Sequence, residues 1–407
     1  MGASAGLRVP YSPEGALGRG EKLARGSESR TNLLIPPQPP KLHFVEDIQA
    51  MDRALALAWR GWGRVAPNPM VGAVVLQGGR VVGEGWHAEY GGLHAEPAAL
   101  AAAGRAALGS TIVVTLEPCA HQGKQPPCTE ALIAAGVRRV VLGAADPNPE
   151  AGGGSARLRA AGITVAEGLR ADETRVQNAA FFHRFSGLAR PFVALKLVTT
   201  LDGRIGDHSG RSRWISGDEA RDYVHWLRAG YDAIGVGGHT ARTDDSSLTV
   251  RGEVQPRQPP RRVVFDRRGE LPDTLALVRT AREVPTILVT EGSRPSPRFA
   301  DLDEAGVEIV RAPDLAGGLG ALRELGIGSI LVEGGGRLAG ALLAAGLVDR
   351  YYWIQSPLWL GDSGIPAIAG FGGTTLVEAE RWRVVERRAL GQDTLLVADR
   401  DECSPAS

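Results

Sequence analysis

The sequence predicts an α/β protein of two domains, each a sheet covered by helices. Three observations carry this reading. The chain has 407 residues, which at about 150 residues per domain gives two to three domains. Short runs of Val, Ile and Leu alternate with stretches of helical periodicity over residues 45–399, the pattern of strands joined by crossover helices. The segment Gly187 to Pro191 breaks that alternation and marks a junction between domains 45–187 and 190–399.

In the first domain, Ile48, Met51, Leu55 and Ala58 recur near 3.6 spacing, so 48–59 reads as a helix. Val71–Leu76 is a buried strand, and Gln77-Gly78-Gly79 turns it back into Val81–Trp86 as a hairpin. Helix 96–107, strand 111–116, helix 128–135 stopped by Gly136 and strand 138–143 follow. Helix 154–161 closed by Gly162, strand 163–166 and helix 170–185 complete three layers, with the later strands parallel. In the second domain, strand 192–199 comes first, and Ser216 with Glu219 predicts a capping box on helix 217–229. Strand 232–236, a polar loop, and strands 261–265, 286–290 and 306–310 come next. Helix 318–325, strand 329–332, helix 337–345, strand 349–355 and two terminal strands near 382–388 and 393–398 finish a second α/β domain. Residues 1–44, rich in Gly, Ser, Pro and Arg, read as a flexible extension or a mis-set translation start, and 400–407 as a polar tail.

Lys+Arg and Asp+Glu both number 46, so the formal net charge is zero and nothing supports a general nucleic-acid binder. There is no stretch of 18 apolar residues for a membrane span, and the N-terminus has no apolar signal core. The three cysteines, Cys119, Cys128 and Cys403, make no disulfide framework, which fits a reducing, cytoplasmic setting.

Two of those cysteines belong to a chemical constellation. His94-Ala95-Glu96 lies at the mouth of a helix, Pro118-Cys119 just beyond a strand, and Pro127-Cys128 at the start of the next helix. Zinc prefers thiolate and imidazole, and a catalytic zinc keeps three protein ligands and one open position. Strand ends and helix starts also favour the thiolate. Glu96, two residues from His94, is placed to shuttle a proton from water to a leaving amine. The pattern resembles the zinc nucleobase deaminases, His-x-Glu followed by Pro-Cys-x-x-Cys, with one departure: residues 120–127 separate the cysteines, eight residues instead of two.

That insertion, with Pro67-Asn68-Pro69 and Asp146-Pro147-Asn148-Pro149, resembles the bifunctional riboflavin-biosynthesis deaminase–reductase family. The resemblance continues through Lys196-Leu197, Leu201-Asp202-Gly203-Arg204, Ser212, Trp214-Ile215-Ser216, Asp244-Asp245, Leu248-Thr249 and Arg251. Thr200, where the family often has serine, and Ser246, where a proline usually follows the paired aspartates, depart from it. The resemblance implies a cytidine-deaminase-like three-layer α/β/α domain followed by a dihydrofolate-reductase-like α/β domain. It implies hydrolytic deamination of a phosphoribosylated diamino-pyrimidinone with Zn2+, then NADPH-dependent reduction of the ribosyl chain to ribityl. It also implies a homo-oligomer built on the reductase domains.

Carried over by position, Asn68 would hold the pyrimidine, and His121 and Lys124 the ribose phosphate. Trp214, Thr240, Asp244, Gly335 and Gly336 would contact NADPH. Lys196, Asp202, Ser212, Arg228, Leu248, Arg251 and Glu333 would contact the second substrate. Physical chemistry agrees in part: Glu333-Gly334-Gly335-Gly336 joins a strand to a helix, where free backbone N–H groups can cradle phosphate. Guanidinium forks such as those of Arg228 and Arg251 match a phosphomonoester, although such arginines also serve as ion-pair partners. The competing expectation is a monofunctional deaminase with an inactive reductase-like domain.

Overall fold

The computed structural model describes residues 46–291 and 297–400. The expected extension, residues 1–44, and the polar tail after Arg400 with Cys403 lie outside the described residues. The first domain runs α1 (Asp47–Ala58), β1 (Gly72–Gln77), β2 (Arg80–Trp86), α2 (Ala95–Ala103), β3 (Thr111–Leu116) and α3 (Cys128–Ala134). It continues with β4 (Arg139–Ala144), α4 (Gly154–Ala160), β5 (Thr164–Ala166), α5 (Ala171–Gln177) and α6 (Ala179–Arg184). Its sheet has the order β2-β1-β3-β4-β5. β1 is antiparallel to β2 and β3, whereas β3, β4 and β5 are parallel.

Alternation along the strands builds the three layers, because successive side chains point to opposite faces. Ala73, Val75, Ile112, Val114, Val140 and Leu142 face Ala95 and Ala99 of α2, Leu132 of α3 and Leu158 of α4. Val74, Leu76, Val113 and Val141 face Met51, Ala54 and Leu55 of α1. α2 lies very close to β2: a Cβ on Gly85 would stand 2.4 Å from the Ala95 carbonyl oxygen. That close approach fixes the start of α2, and with it His94, against the sheet.

The second domain contains β6 (Phe192–Thr199), β7 (Arg204–Gly206), α7 (Asp218–Ala229), β8 (Ala233–Gly237), α8 (Gly238–Asp244), β9 (Arg261–Phe265) and α9 (Ala276–Arg279). Then come β10 (Thr286–Thr290), α10 (Pro297–Glu304), β11 (Val307–Arg311), α11 (Leu315–Glu324), β12 (Ser329–Glu333) and α12 (Gly336–Ala344). β13 (Arg350–Gln355), β14 (Ile365–Pro366), β15 (Trp382–Leu390) and β16 (Asp393–Arg400) end it. The large sheet has nine strands in the order β11-β10-β9-β8-β12-β6-β13-β16-β15. Strands from β11 to β13 in that order are parallel, and β16 is antiparallel to both β13 and β15. α11 and α12 bury Leu319, Leu322, Ala339 and Leu342 on one face. α7, α9 and α10 cover the other with Tyr223, Leu227, Leu277 and Leu302.

Three local expectations are corrected. The helix expected over 170–185 is two helices, because Asn178 leaves the helical region (φ −108°, ψ 27°). Its side chain accepts from Met70 N at 2.8 Å and donates to Met70 O at 3.0 Å, a tertiary pairing that outweighs the local periodicity. The Ser216/Glu219 capping box does not form: Gly217 is the N-cap of α7 and its N–H donates to Asp393 Oδ2 at 2.8 Å. The polar loop expected after β8 begins with α8, a short helix whose residues Gly-His-Thr-Ala-Arg-Thr-Asp carry no apolar stripe.

The two domains pack through the chain that leads to Asn68. Trp62 stacks on Trp226 with ring centroids 4.7 Å apart, and its Nε1 donates to Trp226 O at 2.7 Å. A Cβ on Gly230 would lie 1.9 Å from the Trp62 ring, so only glycine leaves room for it.

Candidate active sites

His94 precedes α2 with extended backbone (φ −72°, ψ 166°), Cys119 follows β3, and Cys128 is the first residue of α3. The fold brings the three together: His94 Nδ1 is 3.3 Å from Cys128 Sγ and 3.7 Å from Cys119 Sγ, and all three ligand atoms lie within 4.8 Å of one another. Ligands about 2.0–2.3 Å from a tetrahedral zinc stand about 3.5–3.8 Å from each other. The donor set and its spacing therefore fit zinc. The Cys119 thiol is held well below its ordinary value, chiefly by its hydrogen bond with Cys128 and then by His94, whereas Cys128 is pushed up as the partner in that bond and by burial. A metal held by these residues would take both cysteines as thiolates, in place of the proton they share.

Glu96 is 3% exposed on the first turn of α2, and burial pushes its carboxyl up to about 7. A carboxyl in that range can both accept and return a proton near neutral pH. Asn68 donates from Nδ2 toward His87 Nε2 at 3.2 Å, while His87 Nδ1 lies 2.9 Å from Leu93 O. A neutral His87 protonated on Nδ1 satisfies both contacts, and burial holds its pKa down. His87 also packs edge-on against His94, with ring centroids 5.3 Å apart. Sequence reading missed His87; its signal was a histidine at the end of a strand, seven residues before a ligand. In the insertion, His121 has a buried Nδ1 without a partner, and Lys124 Nζ stands 4.1 Å from the centroid of the Tyr90 ring. Asn148 shapes a turn: its N–H donates to Asp146 Oδ1 and its Oδ1 accepts from Glu150 N.

The second cluster lies at the C-terminal ends of adjacent parallel strands, the edge where α/β sheets bind ligands. Glu333 and Lys196 are register partners on β12 and β6, and Lys196 Nζ is 3.1 Å from Glu333 Oε2. Arg228 from α7 grips the same carboxylate at 2.6 and 2.9 Å, and its third contact is Thr249 O at 3.0 Å. Burial alone would raise the Glu333 pKa, but Arg228 and Lys196 outweigh it and hold the carboxyl well below the usual range. Asp244 ends α8, where burial raises its pKa and Arg213, His239 and Lys196 oppose the rise.

Gly334 and Gly335 turn with φ +65° and +82°. A Cβ on Gly335 would stand 2.9 Å from Thr240 Oγ1, so these two expected cofactor residues adjoin. Gly336 meets the protein's own backbone, since its Cβ would lie 2.4 Å from Pro366 O. Leu248 is 2% exposed with φ +48°, and its side chain belongs to the core. Asp202 accepts from Thr200 Oγ1 and from the backbone N–H groups of Leu360 and Gly361, so its carboxylate shapes that loop. Arg251 is exposed, its N–H donating to His225 Nδ1 at 3.2 Å. Ser212 is half-buried, and Trp214 is exposed with Arg221 4.6 Å from its ring centroid. Among the described residues no helix is long and apolar enough to cross a membrane.

Comparison with known proteins follows the same division. Residues 45–144 match the family model for the cytidine and deoxycytidylate deaminase zinc-binding region, and residues 191–396 that for the RibD C-terminal domain. The riboflavin biosynthesis protein RibD of Escherichia coli is 40% identical over 370 residues, covering 86% of this chain and 99% of that one. Its counterpart in Aquifex aeolicus is 38% identical over 357 residues, 87% of this chain and 98% of the other. The solved structure of Acinetobacter baumannii RibD matches with a TM-score of 0.75 at 35% identity, covering 88% of this chain and 99% of that one. A diaminohydroxyphosphoribosylaminopyrimidine deaminase/5-amino-6-(5-phosphoribosylamino)uracil reductase from Thermotoga maritima also gives 0.75 at 35% identity, covering 87% and 98%.

Proposed function

The chain belongs to the RibD family of riboflavin biosynthesis proteins, and from that premise we propose how its two sites divide the work. The protein is a bifunctional enzyme, a zinc-dependent deaminase followed by an NADPH-dependent reductase. It deaminates the phosphoribosylated diamino-pyrimidinone and reduces the ribosyl chain to give 5-amino-6-(5-phosphoribitylamino)uracil. We place the deaminase in residues 45–187 and the reductase in 190–399. The carrying observation is that one chain holds two separate polar clusters, His94–Cys119–Cys128 beside buried Glu96 and Lys196–Glu333–Arg228.

In the deaminase, His94, Cys119 and Cys128 hold the metal. Zinc there supplies a Lewis acid that makes water nucleophilic near neutral pH. Glu96 takes a proton from the attacking water and returns protons to the ring nitrogen and the departing ammonia. Asn68 orients the ring, and His121 and Lys124 take the phosphate; the orphaned His121 Nδ1 supports that reading.

In the reductase, bound NADPH would supply the hydride for the sugar C1, whose bond to the ring oxygen opens as that oxygen takes a proton. Trp214, Thr240, Asp244, Gly335 and Gly336 form its bed. Arg251, Ser212 and the Leu248 backbone meet the second substrate. Lys196 and Arg228 act there by fixing Glu333, and Asp202 by shaping the loop after Leu358. We assign the enzyme to the cytoplasm and to a homo-oligomer built on the reductase domains.

The test is incubation with the phosphoribosylated diamino-pyrimidinone, following ammonia with and without NADPH. Ammonia should appear in both cases, and NADPH oxidation should follow it. Ammonia release without any NADPH oxidation would favour a monofunctional deaminase.

A further inference from the structure

The chain segment that leads to Asn68 is held from both domains: Met70 pairs with Asn178 and Asn68 with His87 in its own, and the other domain adds a second set of contacts. Trp62 sits on Gly230 and Trp226, and Gly63 packs on Ala229, where an added Cβ would come within 2.7 Å of the Ala229 carbonyl oxygen. Arg64 Nη1 donates to Gln255 O at 3.2 Å. Arg257, on the loop before β9, makes two further contacts to this segment. Its backbone N–H donates to Gly63 O at 2.9 Å, and its Nη2 donates to Ala66 O at 3.0 Å, two residues from Asn68. The same guanidinium lies 4.9 Å from the centroid of the Tyr90 ring, the ring on which Lys124 also rests. Tyr90 is itself tied to the segment, its N–H donating to Arg64 O at 3.1 Å.

We propose that Arg257, a residue of the reductase domain, is a positioning residue of the deaminase reaction, fixing the Ala66–Asn68 turn and the Tyr90 ring across the domain boundary. This rests on the reading of Asn68 as the group that orients the pyrimidine. A guanidinium suits the task because it is planar and always charged, so it can donate to a carbonyl while stacking on an aromatic face. Among the described residues, the partners of Arg257 are Gly63, Ala66 and the Tyr90 ring, so its effect reaches the chemistry through where the pyrimidine and its phosphate sit. A displacement of about 1 Å in a substrate-orienting group costs on the order of a hundredfold in rate.

The experiment uses the full-length zinc-loaded enzyme with Arg257→Ala, Arg257→Lys, Asn68→Ala and the Arg257→Ala/Asn68→Ala double variant. Arg257→Ala should lower kcat/KM for ammonia release roughly tenfold to a hundredfold. Zinc content and NADPH oxidation with the already deaminated substrate should stay within about twofold of wild type. Arg257→Lys, which keeps a charge for Tyr90 and one donor for Ala66 O, should recover part of the loss. In the double variant the two losses should not multiply, because each removes the same orientation. Unchanged ammonia release in Arg257→Ala, with a defective Asn68→Ala, overturns the proposal alone. Fully multiplicative losses, or parallel losses of both activities, also overturn it. A harmless Asn68→Ala overturns the reading of Asn68 and the proposal with it. Should Arg257→Ala fail to fold, Arg257→Lys against Asn68→Ala decides by the same comparison.

Discussion

Replacing Glu333 by Gln removes the negative charge that two buried cations share. The Glu333, Arg228 and Lys196 side chains are 8%, 14% and 11% exposed, so the small values of surface ion pairs do not apply. Breaking a buried pair by neutralising one partner costs about 3–5 kcal/mol. Gln keeps one oxygen for Arg228 but turns an amide N–H toward a cationic donor, so about 3 kcal/mol is expected. For a domain of this size that lowers the reductase unfolding temperature by about 6–12 °C. The sign with pH follows from the depressed carboxyl. The stabilisation is complete above the ordinary value of 4.5 and fades as the pH falls toward the folded value, so variant and wild type should converge in acid. Differential scanning calorimetry at neutral and acid pH measures this, with ammonia release as the control for the other domain. A loss below about 1 kcal/mol at neutral pH would show that the carboxylate's desolvation cancels its two ion pairs, and would refute the reasoning.

Cys119→Ser should lose most of its zinc, whereas Glu96→Gln should keep it while deamination collapses and NADPH oxidation continues; metal analysis beside both assays separates ligand from proton shuttle. Lys124→Ala should raise KM for the phosphorylated substrate roughly tenfold to a hundredfold, the effect of one charged hydrogen bond of about 1.5–3 kcal/mol. It should matter little for a dephosphorylated analogue, and equal penalties on both would remove phosphate from its role. Gly335→Ala should weaken NADPH binding in fluorescence titration, because φ +82° disfavours any side chain and the new Cβ meets Thr240 Oγ1. Arg251→Ala should instead leave NADPH binding intact and weaken the second substrate.

The parts of this molecule legible in sequence are those with local signatures. Strands 111–116, 192–199, 261–265 and 286–290 were bounded by their apolar runs and have the same bounds in the fold. The zinc donors were legible because each sits at a strand end or helix start within a recognisable spacing. What escaped was set by distant partners. Nothing near Asn178 announces that Met70 will take its amide, and nothing near Gly217 announces Asp393. For Arg228 the sequence leaves two readings open, a fork for phosphate or an ion-pair partner, and the choice rests on Glu333, 105 positions away, which takes the fork. For Leu248 the sequence does not show that the side chain fills the core, so that any ligand contact there is left to the backbone. His87 and Arg257 carry no motif, and only their neighbours in space give them a role.

The seating of Trp62 on Gly230 has a genetic reading. Chains inactivated at Glu96 and chains inactivated at Glu333 carry lesions in different halves. Expressed together, they should complement, since each lineage still supplies the half-reaction that the other lacks. A substitution at Gly230 drives a side chain into the indole of the other half. Such an allele should fall into both complementation groups at once, although it lies within neither polar cluster. A map of alleles would therefore place it at a boundary that the linear order of the gene, with the two domains cleanly in tandem, does not reveal.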